Sequence, residues 1–194
     1  MIRLLSASLT LGLLVAVFAV PCAADDKKDV EKPVKFNFPD VKGWKRGEIR
    51  PYPEKAAGYS VAYNSDDGIT VTVYVYDRGL KEIPNDLTSA VVKEQFKGAK
   101  DAIYEAMKLK YYESVKELKS DEGTLGKKDR APKTLTASFE LGTKQGLVLS
   151  DIHVTVYENH FIKLRCTRPK DSAEKTQKSL DTLLDEMGVL FANK

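Results

Sequence analysis

The chain has 194 residues, 42% of them hydrophobic and 30% charged, with a formal net charge of +3, two cysteines, two histidines and one tryptophan. Lys and Arg are spread among the acids rather than gathered into one basic stretch, which is not the electrostatic footprint of a nucleic-acid binder. With so few Cys and His, a familiar thiol, imidazole or metal centre has little to be built from.

The first 24 residues carry no acid and one base, Arg3, and run apolar from Leu11 to Val20 before Pro21 and Cys22-Ala23-Ala24. This is the pattern of a secretory leader with a small-residue cleavage site, so residues 1–24 are expected to be a cleaved signal peptide and the protein to be exported, periplasmic or extracellular. Two alternatives stay open: a retained membrane anchor, and an envelope-tethered lipoprotein held through Cys22. After Ala24 no apolar run approaches the ~20 residues of a transmembrane helix. If Cys22 leaves with the leader, Cys166 remains as a lone thiol. Its alternation with Ile162 and Leu164 points it into an apolar face as a buried structural cysteine.

Residues 25–35 are charged and aperiodic, and read as a flexible lead-in to a single domain over 36–194. Phe36 to Pro53 mixes aromatics with Pro and Gly, which suits a short edge strand and an ordered loop. Tyr59–Asn64 and Ile69–Tyr76 alternate as strands around Asp67-Gly68. A two-residue turn at that dipeptide would pair Tyr59 with Tyr76, Val61 with Tyr74 and Tyr63 with Thr72, and on the other face Ala62 with Val73 and Ser60 with Val75. The turn also accounts for Asp66 and Asp67, which would otherwise suggest calcium.

Beyond Pro84 the apolar period becomes helical, with Leu87, Val91, Phe96, Ala99, Ile103 and Met107 in one stripe, predicting a long helix over Leu87–Leu109 with Gly98 as a local inconsistency. Strands are then expected at Ser114–Lys119, Thr134–Leu141, Gly146–Tyr157 and Phe161–Thr167. In the last hairpin, alternation selects a three-residue loop, Glu158-Asn159-His160, which pairs Val156 with Ile162, Val154 with Leu164 and Ile152 with Cys166. A terminal helix starts at the Asp171/Glu174 capping pattern, carries Leu180, Leu183, Leu184 and Met187 inward, and stops at Gly188. The near-identical phrases Ile69–Tyr74 and Ile152–Tyr157 read as convergence in strand composition rather than duplication.

Phe36-x-Phe38-Pro39, the phrase Gly58-Tyr59-Ser60-Val61-x-Tyr63 leading through Gly68 to Thr72-Val73-Tyr74, the Tyr111-Tyr112 junction after the helix, and Phe161-Ile162-Lys163-Leu164-Arg165 before the last helix resemble the PsbP-like and DcrB-like secreted α/β sandwiches. The resemblance implies an α+β fold, an antiparallel sheet of about six strands flanked by the long central helix and the C-terminal helix. It also implies an accessory or binding role outside the cytoplasm, with no site residues to transfer.

No catalytic, cofactor or metal residues emerge. His153 and His160 have no ligand spacing, Ser150-Asp151-x-His153 places serine on the opposite strand face from its would-be base, and no Gly-rich phosphate loop is present. If Val71, Val73, Val75, Ile152, Val154 and Val156 all face helices, the reverse of the sheet carries Tyr59, Tyr63, Tyr74, Tyr76, Tyr157, Phe161, His153, Lys163 and Arg165. Of these Tyr74, Tyr76, Tyr157, Lys163 and Arg165 are the candidate binding residues, suited to an unidentified protein, peptide or glycan partner. The competing reading covers that face with the second helix or the Trp44 loop, leaving the tyrosines as amphipathic core. The function expected is a non-enzymatic accessory or binding protein. The alternative is an extracytoplasmic hydrolase or other enzyme whose site assembles only in the fold.

Overall fold

In the computed structural model, residues 36–192 are described; the leader, Cys22 and the whole of the lead-in lie outside them. One antiparallel sheet organises the chain, in the order β1-β3-β4-β8-β7-β6-β5 with β2 also paired to β3. Its strands are β1 (Trp44–Arg46), β2 (Arg50–Pro51), β3 (Tyr59–Ser65), β4 (Thr70–Tyr76), β5 (Ser114–Thr124), β6 (Lys133–Thr143), β7 (Gly146–Tyr157) and β8 (His160–Pro169), with helices α1 (Ala90–Lys108) and α2 (Ala173–Leu190). The fold is therefore the α+β sandwich expected, with eight strands rather than about six. The increase comes from the two short edge pieces β1 and β2. β5 also continues five residues past its expected end, through a bulge at Leu118, because its backbone pairs with β6 as far as Thr124–Lys133 even where its side chains are polar.

The helices lie on opposite faces. On one, Leu180, Leu183, Leu184, Met187 and Phe191 of the α2 segment pack with Val61, Val71, Val73, Val75, Ile162, Leu164 and Cys166. On the other, Ala99 and Ile103 of α1 pack with Ala137, Phe139, Leu141, Ile152 and Val154, and Val92 packs with Leu135, Val156 and Phe161. Each fully buried aliphatic side chain contributes roughly 1.5–3 kcal/mol, so both layers are needed. α1 starts at Ala90, not Leu87, because the Ser89 hydroxyl accepts the Val92 N–H as its cap.

Both hairpin registers differ by one residue from those expected, the first from an Asp67-Gly68 turn and the second from alternation. The first has a three-residue loop: Gly68 N–H donates to the Ser65 carbonyl at 3.2 Å, Ser65 N–H donates to the Ile69 carbonyl at 2.9 Å, and only Gly68 has positive φ. Tyr59 pairs with Val75, Val61 with Val73 and Tyr63 with Val71. The second has a two-residue loop, Glu158-Asn159, both at positive φ as a type I′ turn requires, and it pairs Val156 with Phe161 and Ile152 with Arg165. The Asn159 side chain holds this turn by accepting from Ile83 N–H at 2.7 Å and donating to the Lys81 carbonyl at 3.1 Å. The reasons differ: the first slips because its loop takes in Asp66 as well as Asp67 and Gly68, and the second because a sheet with a helix on each face is apolar at both parities, so hydrophobic alternation no longer selects a register. Val71, Val73 and Val75 consequently face α2 while Ile152, Val154 and Val156 face α1, and the two similar phrases serve opposite cores.

Gly188 does not stop α2. The helix continues to Leu190, and a Cβ on Gly188 would come to 2.1 Å from the Leu125 carbonyl oxygen, so this glycine is where the β5–β6 loop meets the helix. α2 also lacks the capping bond expected at its start: Ser172 is the N-cap and its side chain makes no cap hydrogen bond.

Candidate functional site

α1 lies over β6 and β7 and reaches as far as Tyr76 and Phe161. On the same face β3, β4 and β8 present Ser60, Thr72, Tyr74, Lys163 and Arg165, which antiparallel pairing places side by side: Ser60 opposite Tyr74, Tyr74 opposite Lys163 and Thr72 opposite Arg165. Two tyrosines from connecting segments close the rim. Tyr52, just after β2, donates its hydroxyl to Ser60 Oγ at 3.0 Å, and Tyr112, between α1 and β5, accepts from Arg165 Nη2 at 2.7 Å. Tyr52, Tyr74, Tyr112, Lys163 and Arg165 are all half-buried, and together they form a partly exposed patch of three tyrosines and two cations.

Arg165 is held rigidly. Its Nε donates to Ser150 Oγ at 3.2 Å, and its guanidinium carbon stands 5.8 Å from the Tyr112 ring centroid. Lys163 Nζ stands 4.2 Å from the Tyr74 centroid and 5.9 Å from that of Tyr76, whose hydroxyl accepts from Gln95 Nε2 at 2.8 Å. Such cation–π contacts stabilise by roughly 0.5–2 kcal/mol, well short of the desolvation cost of a covered ammonium. Among the described residues neither cation has a carboxylate within 4.0 Å. Burial, and secondarily the Arg165 charge, accordingly bring the Lys163 ammonium down to about 8. Burial raises the Tyr74 phenol as well.

Four of the five sequence candidates thus share one face: Tyr74, Tyr76, Lys163 and Arg165. Tyr76 is part of its packed margin, 9% exposed. Tyr157 is not there. It pairs with His160 on the α2 face and packs on Phe36 and Phe191. Tyr59 and Tyr63 also belong to the α2 core, 2% and 0% exposed, with the Tyr63 hydroxyl donating to the Pro39 carbonyl at 2.9 Å and its phenol pushed up to about 12 by burial. The one-residue slip of β3 against β4 is what separates them from Tyr74. Tyr52, Tyr112, Ser60 and Ser150 were not anticipated, since strand parity says nothing about what a loop or a neighbouring strand brings to a face.

His153 lies on the α2 face, its Nδ1 buried with no hydrogen-bond partner among the described residues, and burial lowers its pKa. Ser150 Oγ stands on the other face at 3.3 Å from Thr167 Oγ1, so the triad letters do not meet. His160 Nδ1 lies 2.7 Å from the Glu158 carbonyl. Among the described residues no three His, Cys, Asp or Glu side chains gather where a metal ion would fit. No helix among them is long and apolar enough to cross a membrane.

The class defined by this geometry is an α+β sandwich with a helix on each face and a basic-aromatic patch on β4 and β8. No family model and no curated protein matches the chain. Among solved structures it is similar to the cyanobacterial PsbP (CyanoP) of Synechocystis, with a TM-score of 0.49 and 11% identity over 75% of this chain and 81% of that one. It is similar also to the Ran-binding protein Mog1p of Saccharomyces cerevisiae, with a TM-score of 0.39 and 13% identity over 77% and 80% of the two chains. LpqN of Mycobacterium tuberculosis, described as involved in cell envelope biogenesis, has a TM-score of 0.37 and 12% identity over 76% and 79%. At 11–13% identity these likenesses are of fold alone.

Proposed function

We propose that this chain is an exported accessory or binding protein rather than an enzyme, and that its basic-aromatic patch receives acidic side chains of a protein partner. The observation that carries the reading is the pair Lys163 and Arg165: two half-buried cations, backed by aromatic rings, with no carboxylate neighbour among the described residues. A buried charge left without a counter-ion costs several kcal/mol, and an acidic group entering from outside relieves that cost in an environment where charge-assisted bonds are strong. Arg165 enters the complex already oriented by Ser150 and Tyr112, so little side-chain entropy is lost on binding. Export is supported by the Arg3, Leu11–Val20, Ala23-Ala24 pattern of the leader.

Titration of the folded protein with a glutamate-rich decapeptide, followed by amide chemical shifts, tests the docking. Saturable shifts confined to β4, β8 and the Tyr52 and Tyr112 segments are expected, abolished in Lys163→Gln/Arg165→Gln and absent with a lysine-rich peptide. Shifts elsewhere, or shifts unchanged in the double variant, refute it. Mass spectrometry of protein recovered from cell fractions tests export, with an N-terminus at Asp25 outside the cytoplasm as the expected result.

A further inference from the structure

Strand pairing places a further cation in line with Lys163. Arg50 of β2, two residues before Tyr52, stands opposite Ser60, Ser60 opposite Tyr74 and Tyr74 opposite Lys163, so one row of side chains crosses four strands on a single face of the sheet. In the next row Ala62 stands opposite Thr72 and Thr72 opposite Arg165, and on the same face Lys45 of β1 stands opposite Asn64. Arg50 and Lys45 are exposed, and Ala62 and Thr72 between them and the patch are half-buried. We propose that the acidic surface docking on this face reaches Arg50, so that its carboxylates are spread over three interstrand spacings, about 14 Å, with Lys163 and Arg165 towards one end and Arg50 at the other. This rests on the preceding reading of Lys163 and Arg165, and adds to it a further binding residue and the breadth of the protein partner's acidic face.

The charges of the sheet are divided between its two halves. No Asp or Glu occurs in β1, β2, β3, β4 or β8, whereas β5, β6 and β7 carry Glu117, Asp121, Glu122, Glu140 and Asp151. The acids nearest in sequence to this half, Glu48, Asp66, Asp67 and Asp77, all lie in connecting segments. Among the described residues neither Arg50 nor Lys45 has a carboxylate within 4.0 Å, while Arg46, which pairs with Tyr63 on the other face, is held by Asp40 at 2.9 Å. Charge complementarity therefore selects an acidic occupant, and Lys45 adds to the positive field that steers it in. The cations do not converge on one point. Lys163 leans over the Tyr74 ring of β4, whereas Arg165 is tied to Ser150 of β7 and to Tyr112. Such an arrangement suits a partner that lays separate carboxylates across the face rather than one group held between the cations. Between them Thr72, Tyr74 and Tyr52 are half-buried hydroxyl-bearing side chains, so the acidic groups meet donors along the row as well as at its ends.

The test measures the affinity of the folded protein for the glutamate-rich decapeptide at physiological ionic strength, where the screening length is about 8 Å and a charge some way off contributes little. Arg50→Gln should weaken binding about threefold and Arg50→Glu about tenfold, with Arg50→Lys close to the unsubstituted protein. Lys178→Gln, which removes the same charge from the exposed side of α2, should leave the affinity unchanged. A serine decapeptide keeping two adjacent glutamates should bind more weakly and be indifferent to Arg50→Gln, because it cannot occupy both ends of the row at once. Urea midpoints of the Arg50 variants should match that of the unsubstituted protein, since the residue is exposed. Unchanged affinity of the glutamate-rich peptide in Arg50→Gln overturns the proposal, as does an equal loss in Lys178→Gln, which would reflect net charge alone. An equal loss for the two-glutamate peptide overturns the spread of the carboxylates. If Arg50→Gln is silent while Lys163→Gln/Arg165→Gln abolishes binding, the breadth fails and the docking reading stands; if the unsubstituted protein does not bind the glutamate-rich peptide, both fall. Tighter binding to phosphatidylglycerol vesicles than to the peptide, lost in the same variants, would put an anionic lipid surface in place of the protein partner and overturn both.

Discussion

Alanine in place of glycine should have opposite effects at two helical positions, Gly98 in α1 and Gly188 in α2. By intrinsic propensity alone, Gly→Ala inside a helix stabilises by roughly 1 kcal/mol at either place. At Gly98 a Cβ meets nothing within 4 Å, and the position is exposed, so Gly98→Ala should raise stability by about 1 kcal/mol, or roughly 2–4 °C in melting temperature for a chain of this size. At Gly188 the Cβ would stand 2.1 Å from the Leu125 carbonyl oxygen and 3.3 Å from its carbonyl carbon. Relief requires the helix and the loop to part by about an ångström, and the loop is itself tied down. Leu125 is fully buried, its N–H donates to the Pro132 carbonyl at 2.9 Å, and Lys127 N–H donates to Asp185 of the same helix at 2.5 Å. Overpacking of this kind costs about 1–3 kcal/mol, and loosening Leu125 and Leu184 adds to it, so a net loss of about 2 kcal/mol remains after the propensity gain. Urea denaturation of both variants reads the two signs directly. An unchanged or raised midpoint for Gly188→Ala would refute the assignment of this glycine to the loop–helix contact.

Binding of the glutamate-rich peptide should weaken as pH rises through about 8, because the ligand favours the protonated form of Lys163, and Lys163→Arg should flatten that dependence in a fluorescence titration. His153 is held below its ordinary value by burial, with Arg168 acting in the same direction and Asp151 against it. The unfolded chain therefore takes up a proton near pH 6.5 that the folded one resists, and stability present above that pH should decline below it. His153→Leu should reduce the slope of the urea midpoint between pH 7 and pH 5. Cys166 is fully buried and its thiol is raised by that burial, so iodoacetamide should leave it unmodified in the folded protein and alkylate it in urea; rapid labelling of folded protein would show the β8 core to be open.

Much of the architecture is legible in the residues. The 3.6-residue stripe from Leu87, the alternating runs from Gly146 and Phe161, and the apolar face of the terminal helix are local patterns, and each forms the element its period indicates. The burial of Cys166 follows in the same way from its place between Leu164 and a continuing strand.

The site was legible only in part, and the reason is geometric. Lys163 and Arg165 share a face because they are two residues apart on one strand, and Tyr74 and Tyr76 share theirs for the same reason. Which tyrosines join them depends on register between strands. With a helix on each side of the sheet, both parities are apolar, and the deciding contacts are the turn conformations at Gly68 and at Glu158-Asn159. Whether the joined residues stay open to solvent depends in turn on where α1 ends relative to β4 and β8, a matter of how two packed layers are offset. The sequence by itself determined the elements and the chemistry each strand face carries. Only the tertiary structure decided that Tyr59, Tyr63 and Tyr157 belong to the α2 core, while Tyr52 and Tyr112 come from distant loops to join the face that carries the two cations.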